Sequence, residues 1–163
     1  MEKKLIKAIL DVVKDVKDRP SLYGAMIDGA YIYFTDGYMA VRLHMGEFAG
    51  LRVFPACENV WVGGNQLNGL YKTMAAKDVC TQVHNDGEHV DLAEWWEKWN
   101  KDLDDTDIVA INPEVFKKLV PFGDMAMRLV QSHAGGKLVQ FNGRGVQAIA
   151  CPLTKKVEEE LCK

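Results

Sequence analysis

The sequence is short of the features that announce chemistry. No apolar run approaches the roughly 20 residues needed to cross a membrane, so no membrane partner is expected. Its four cysteines, Cys57, Cys80, Cys151 and Cys162, stand apart with no Cys-x-x-Cys pair, which removes a zinc knuckle or dithiol motif. Cys80, His84 and His89 bring three potential ligands within ten residues, but the fourth is missing. Gly63-Gly64 and Gly135-Gly136 are not followed by the Gly-Lys-Ser/Thr of a P-loop. There is no Gly-x-Ser-x-Gly elbow, and His44, His84, His89 and His133 are scattered with no His-x-x-x-His pair. Asp28, Asp36 and Asp86 each precede a glycine, where aspartate serves the turn backbone. The expectation is a chain with no catalytic residues, no metal and no cofactor.

Charge is also in short supply. A net charge of −3 argues against coating nucleic acid by bulk attraction, although a local basic face depends on distribution rather than on the sum. What is present is apolar: 48% hydrophobic residues in 163 can bury a core, so the chain is not disordered. The start, MEKKLIKAILDVV, has lysines before an apolar stretch, but Asp11, Lys14 and Asp15 interrupt it and no small-residue cleavage site follows. A helix and a cytoplasmic protein with reduced thiols are expected. The division expected is a single domain over 1–153, with an insertion at about 84–105, and a charged tail over 154–163.

Glu2–Lys17 has Leu5, Ile6, Ala8, Ile9, Val12, Val13 and Val16 on one broad face at helical spacing. Lys3, Lys7, Lys14 and Lys17 form a stripe on the polar face beside Asp11, Asp15 and Asp18. That stripe is either a phosphate-touching row or a solvated mixed face. Arg19-Pro20 ends the helix. Three strands follow, Gly24–Ile27, Ala30–Thr35 and Tyr38–Leu43, parted by Asp28-Gly29 and Asp36-Gly37, a pattern that reads as a meander. Val60–Val62 is a short strand, Asn65 caps a helix over Gln66–Ala76, and Val79–Val83 pairs with His89–Leu92 as a hairpin.

The segment Asp91–Asp107 sets Trp95, Trp96 and Trp99 among charged residues. Tryptophans so placed either seat a short helix on the domain or form a partner surface. Thr106–Ile111 is a strand, and Asn112-Pro113 is a strong helix start before Val115, Phe116, Leu119 and Val120. Met125–Gln131, Leu138–Phe141 and Val146–Ala150 are strands separated by turns at Gly135-Gly136 and Asn142-Gly143. Helix-plus-meander logic thus recurs at both ends of the chain and predicts an α+β fold with helices packed on antiparallel sheets.

Thr35-Asp36-Gly37-Tyr38-Met39-Ala40-Val41 resembles the signature of bacterial DNA polymerase sliding clamps, the β-clamp family: Thr-Asp-Gly, an aromatic, any residue, Leu or Met, then Ala, with Met39 and Ala40 here one position nearer the aromatic than in that pattern. There too it follows a helix and two strands. The segment from Ile108 to Leu153 is similar to the family's final half-domain. Asn112-Pro113 opens its helix, and Ala148-Ile149-Ala150-Cys151-Pro152-Leu153 resembles the family's hydrophobic-hydrophobic-Met-Pro ending. The resemblance covers 3–45 and 106–153, and the middle poorly. The chain departs from the family in lacking a strand before its first helix and in holding about one such domain where a ring needs about six.

What the resemblance implies is a DNA-clamp-like fold, of a kind expected in a bacteriophage or mobile element, with helices toward double-stranded DNA and sheets outside. Replication proteins and further copies of the chain would be the partners. A clamp holds DNA loosely through phosphate contacts and needs no catalytic group. The DNA-facing candidates it implies are Lys3, Lys7, Lys14, Lys72, Lys77, Lys117 and Lys118, with Thr35, Asp36 and Gly37 as the signature turn. The alternative is an interaction module that keeps the fold without ring or DNA, using Trp95, Trp96 and Trp99 as its surface. The family's peptide pocket lies between two domains and cannot be carried over to a single one.

Overall fold

The computed structural model describes residues 3–16, 18–47, 60–63, 89–99, 101–102, 109–131 and 136–153. The helix expected over Gln66–Ala76, the strand Val79–Val83, Lys72, Lys77, Cys80, His84 and the tail 154–163 lie outside the described residues.

Helix α1, Lys3–Val13, runs on as a 3-10 turn over Lys14–Val16. Its periodicity is realised as read: Leu5, Ile6, Ala8, Ile9, Val12 and Val13 are buried, and Lys3, Lys7, Asp11 and Lys14 are exposed. The meander follows as β1 (Ala25–Asp28), β2 (Tyr31–Thr35) and β3 (Met39–His44), with β4 (Val60–Val62) on the outer edge of β1. Helix α2 covers Leu92–Trp99, a two-residue strand β5 covers Lys101–Asp102, and helix α3 covers Pro113–Leu119 before a 3-10 turn over Val120–Phe122. A second meander closes the described chain: β6 (Met125–Gln131), β7 (Lys137–Gly143) and β8 (Val146–Ala150).

All eight strands form one antiparallel sheet, in the order β4-β1-β2-β3-β8-β7-β6-β5. The last strands of the two meanders pair, from Met39 opposite Ala150 to Leu43 opposite Val146. Each meander is preceded by a helix, and the fold is α+β. The two-residue period sorts the side chains cleanly. Ile32, Phe34, Val41, Leu43, Val139, Phe141, Val146 and Ala148 face α1 and α3 in the main core. Met26, Tyr33, Ala40, Val130, Leu138 and Ile149 face the other way, where α2 lies over them. Helices therefore cover both faces of the sheet, not one.

Several boundaries differ from the sequence reading, each for a local reason. His89–Leu92 does not form a strand. Asp91 caps α2, its Oδ1 accepting from the Glu94 amide at 3.0 Å, so helix begins at Leu92. Val109–Ile111 stays out of the sheet and leads into α3, with Asn112 Oδ1 accepting from Glu114 N at 3.0 Å and Pro113 in the first turn. The β1–β2 and β7–β8 loops are Gly29-Ala30 and Arg144-Gly145, each shifted toward the C-terminus from the expected turn. The glycines that carry positive φ, Gly29 at 57° and Gly145 at 70°, sit inside the loops, whereas Gly143 ends β7.

Candidate functional site

The signature turn Thr35-Asp36-Gly37 is held by its own side chains. Thr35 Oγ1 donates to Met39 O at 2.8 Å and accepts from Gly37 N at 2.9 Å. Asp36 Oδ1 accepts from the amides of Tyr38 and Met39 at 2.9 and 2.8 Å. Both polar residues are buried, and this local bonding is what lets them be so. The second carboxylate oxygen of Asp36 receives Lys118 Nζ, from α3, at 2.6 Å. Lys118 reaches Asp15 of the 3-10 turn after α1 as well, at 2.7 Å. One ammonium thus joins both helices to the turn.

The electrostatics follow from this geometry. Burial alone would lower the Lys118 pKa, but its hydrogen bonds to the two aspartates outweigh it and hold the ammonium above the ordinary lysine value. The hydrogen bond from Lys118 in turn keeps the Asp15 carboxyl below its ordinary value. Cys151, the residue after β8, donates its amide to Tyr38 O at 2.9 Å, and burial followed by the nearby Asp36 charge pushes its thiol up. A thiol so shifted is a poor nucleophile.

Tyr38 stands 72% exposed at the tip of the turn. It separates two cavities that the sequence did not signal. One, of about 340 Å³, has mostly apolar walls including Leu22, Val90, Trp95 and Leu138. The other, of about 560 Å³, runs past Lys118, Asn112 and Val115 to Leu153. Cys151 borders both.

The lysines expected to face DNA divide into two kinds. Lys3 and Lys7 on α1 are exposed, and no ion pair is recorded for them among the described residues. Lys14 is exposed 3.7 Å from Asp11, and Lys117 is exposed 2.5 Å from Glu114. Lys118 is sheltered and internally engaged, which leaves it little freedom to reach a phosphate. The tryptophans divide as well. Trp96 is 1% exposed in the α2-side cluster, edge-on to Tyr33 at 6.2 Å, so it seats the helix and is not a surface. Trp95 is half-buried against the same cluster. The Trp99 side chain lies outside the described residues.

Among the described residues, no group of three or more histidines, cysteines, aspartates or glutamates converges as a metal site, and no helix is long and apolar enough to cross a membrane. Comparison with family models, with curated proteins and with solved structures finds no match for the chain.

Proposed function

We propose that the chain is a non-catalytic, clamp-type protein that associates with duplex DNA during replication through lysines on α1 and α3. The observation that carries this reading is the grouping of both helices on one sheet face, with Lys3, Lys7, Lys14 and Lys117 exposed on them. Such contacts neutralise phosphates without reading bases, and so suit a protein that must bind DNA of any sequence. The joining of two helix-plus-meander units through β3 and β8 supports it, as does the self-bonded Thr35-Asp36-Gly37 turn. Self-association into a ring of about six domains belongs to the same proposal.

The test is fluorescence anisotropy of a labelled duplex against the whole chain over a salt series. Binding is expected to weaken with salt, and K3E/K7E/K14E to weaken it at least about tenfold with a shallower salt slope. Binding unchanged in that variant overturns the role of α1. Light scattering on a sizing column supplies the oligomer. A protein-interaction module without DNA contact is the second reading, favoured by exposed Tyr38 between two cavities. A monomer with no DNA binding at any salt selects it.

A further inference from the structure

On the sheet face opposite α1 and α3, beyond the edge of α2, a cavity of about 360 Å³ opens between the end of β3 and the β7–β8 turn. Its chemistry is basic. Arg42 and His44 come from β3, Arg144 from the turn and Gln147 from β8. Tyr31 forms one wall, and Glu47 is the sole carboxylate among the described lining residues. The rim is tied by His44 N, which donates to Gly145 O at 2.7 Å.

Arg42 is unusual for a cation. Its guanidinium lies against the rings of Tyr31 and Trp96, 4.8 and 4.9 Å from their centroids, and its Nε donates to Gln147 Oε1 at 2.8 Å. The Tyr33 hydroxyl lies beside it. Its side chain is only 17% exposed, yet the carboxylate that faces it, Glu97, is 3.9 Å away and 81% exposed. A cation this sheltered ordinarily has a close counter-ion. His44 adds an independent sign. Its ring stands edge-on to Tyr31 at 5.1 Å, and its Nδ1 is buried with no hydrogen-bond partner among the described residues. Buried polar atoms are nearly always paired, so an unpaired ring nitrogen on a residue that lines a cavity calls for a partner. Arg144 is exposed and held loosely, 3.5 Å from Glu47.

We propose that this cavity binds a phosphate-bearing small molecule. The phosphate lies between the guanidinium groups of Arg42 and Arg144, with His44 turning to satisfy its ring nitrogen and the rest of the ligand against Tyr31. Two guanidinium groups, faced only by the loosely held Glu47 and the exposed Glu97, suit a doubly charged oxyanion, for which their planar forks are shaped. The volume is at the small end of ligand sites and admits a metabolite, not a polymer. The site lies on the face away from the DNA-facing lysines and does not rest on the DNA-binding reading.

The test is a titration of the whole chain followed by calorimetry and by the NMR signals of the His44 ring. One arm uses inorganic phosphate, a second a nucleoside 5′-monophosphate, and a third acetate at matched ionic strength. Saturable binding in the millimolar range or tighter is expected in the first two arms, with a shift of the His44 signals and no saturation by acetate. Tighter binding of the monophosphate assigns a phosphomonoester, and equal affinities assign free phosphate. R144Q, at an exposed position that leaves the fold intact, is expected to weaken binding about tenfold, whereas K117Q on the opposite face leaves it unchanged. R42K, which keeps the charge but loses the fork, is expected to weaken it too, with its melting curve as the control for folding. No saturation in either phosphate arm, an equal response to acetate, or full affinity in R144Q overturns the proposal.

Discussion

Lys118 Nζ and Asp36 Oδ2 meet at 2.6 Å across the seam between α3 and the turn that links β2 to β3. The Asp36 side chain is 6% exposed and that of Lys118 17%. The pair ties the two halves of the chain together beside the backbone bond from Cys151 N to Tyr38 O. Replacing Lys118 with methionine keeps the stem but strips Asp36 of its cation. Two backbone amides still serve the carboxylate, so the loss expected is about 2–3 kcal/mol. Urea unfolding of K118M, D36N and the double variant measures it. Strict additivity in that cycle would show that the pair does not couple.

The same cluster sets a pH dependence at both ends of the scale. The folded Asp15 carboxyl titrates below its ordinary value of 3.8, so its contribution to stability is complete above that pH and is lost as the pH falls through the lower folded value. Lys118 titrates above 10.5 when folded, so its contribution is complete below that pH and is lost as the pH rises through the raised value. The stability difference between the natural chain and D15N is expected to be constant near neutrality and to shrink in acid. It is small, because Asp15 is exposed. Urea midpoints taken from neutral pH downward check this, and a difference that grows in acid contradicts it.

Gly24 and Gly29 separate two reasons for a glycine. Both have positive φ, 117° and 57°. A Cβ on Gly24 would stand 2.3 Å from the carbonyl oxygen of Val62 in β4, whereas one on Gly29 meets nothing within 4 Å. G29A is therefore expected to cost about 1 kcal/mol, the backbone penalty alone. G24A is expected to cost about 3 kcal/mol or more, because β4 must move away from β1. Hydrogen exchange should show amide protection in β4 lost in G24A and kept in G29A.

Trp96 is sealed in the α2-side cluster at 1% exposure. W96A is expected to cost about 3–5 kcal/mol and to release α2 from the sheet. W95A, at a half-buried neighbour, should cost less. Thermal melts with near-ultraviolet dichroism read both, and similar losses would mean that α2 is seated by the pair together.

Much of the fold was legible because it is written in short-range periods. The apolar face of α1, the alternation in both meanders and the Asn112-Pro113 start appear in the structure close to where the sequence puts them. The slipped turns at Gly29 and Gly145 show where local signals fall short. Asp28-Gly29 and Asn142-Gly143 are good turn dipeptides, but register is set by which face of each strand is buried, and that is a property of the whole sheet. His89–Leu92 was misread because a short apolar run has no distinct period, so the cap at Asp91 decides.

By itself, then, the sequence determined the helices and strands at its two ends, because each depends on residues a few positions apart. It also marked the Thr35-Asp36-Gly37 turn, whose bonds close within four residues. Tertiary structure alone decided that β3 meets β8, that Lys118 finds Asp36 across 82 positions, and that Arg42 meets Gln147 across 105. It also decided that Trp96 turns inward. Each of these is a choice among many partners of similar local fitness, settled by burying both sheet faces at once, and no window of sequence contains that constraint.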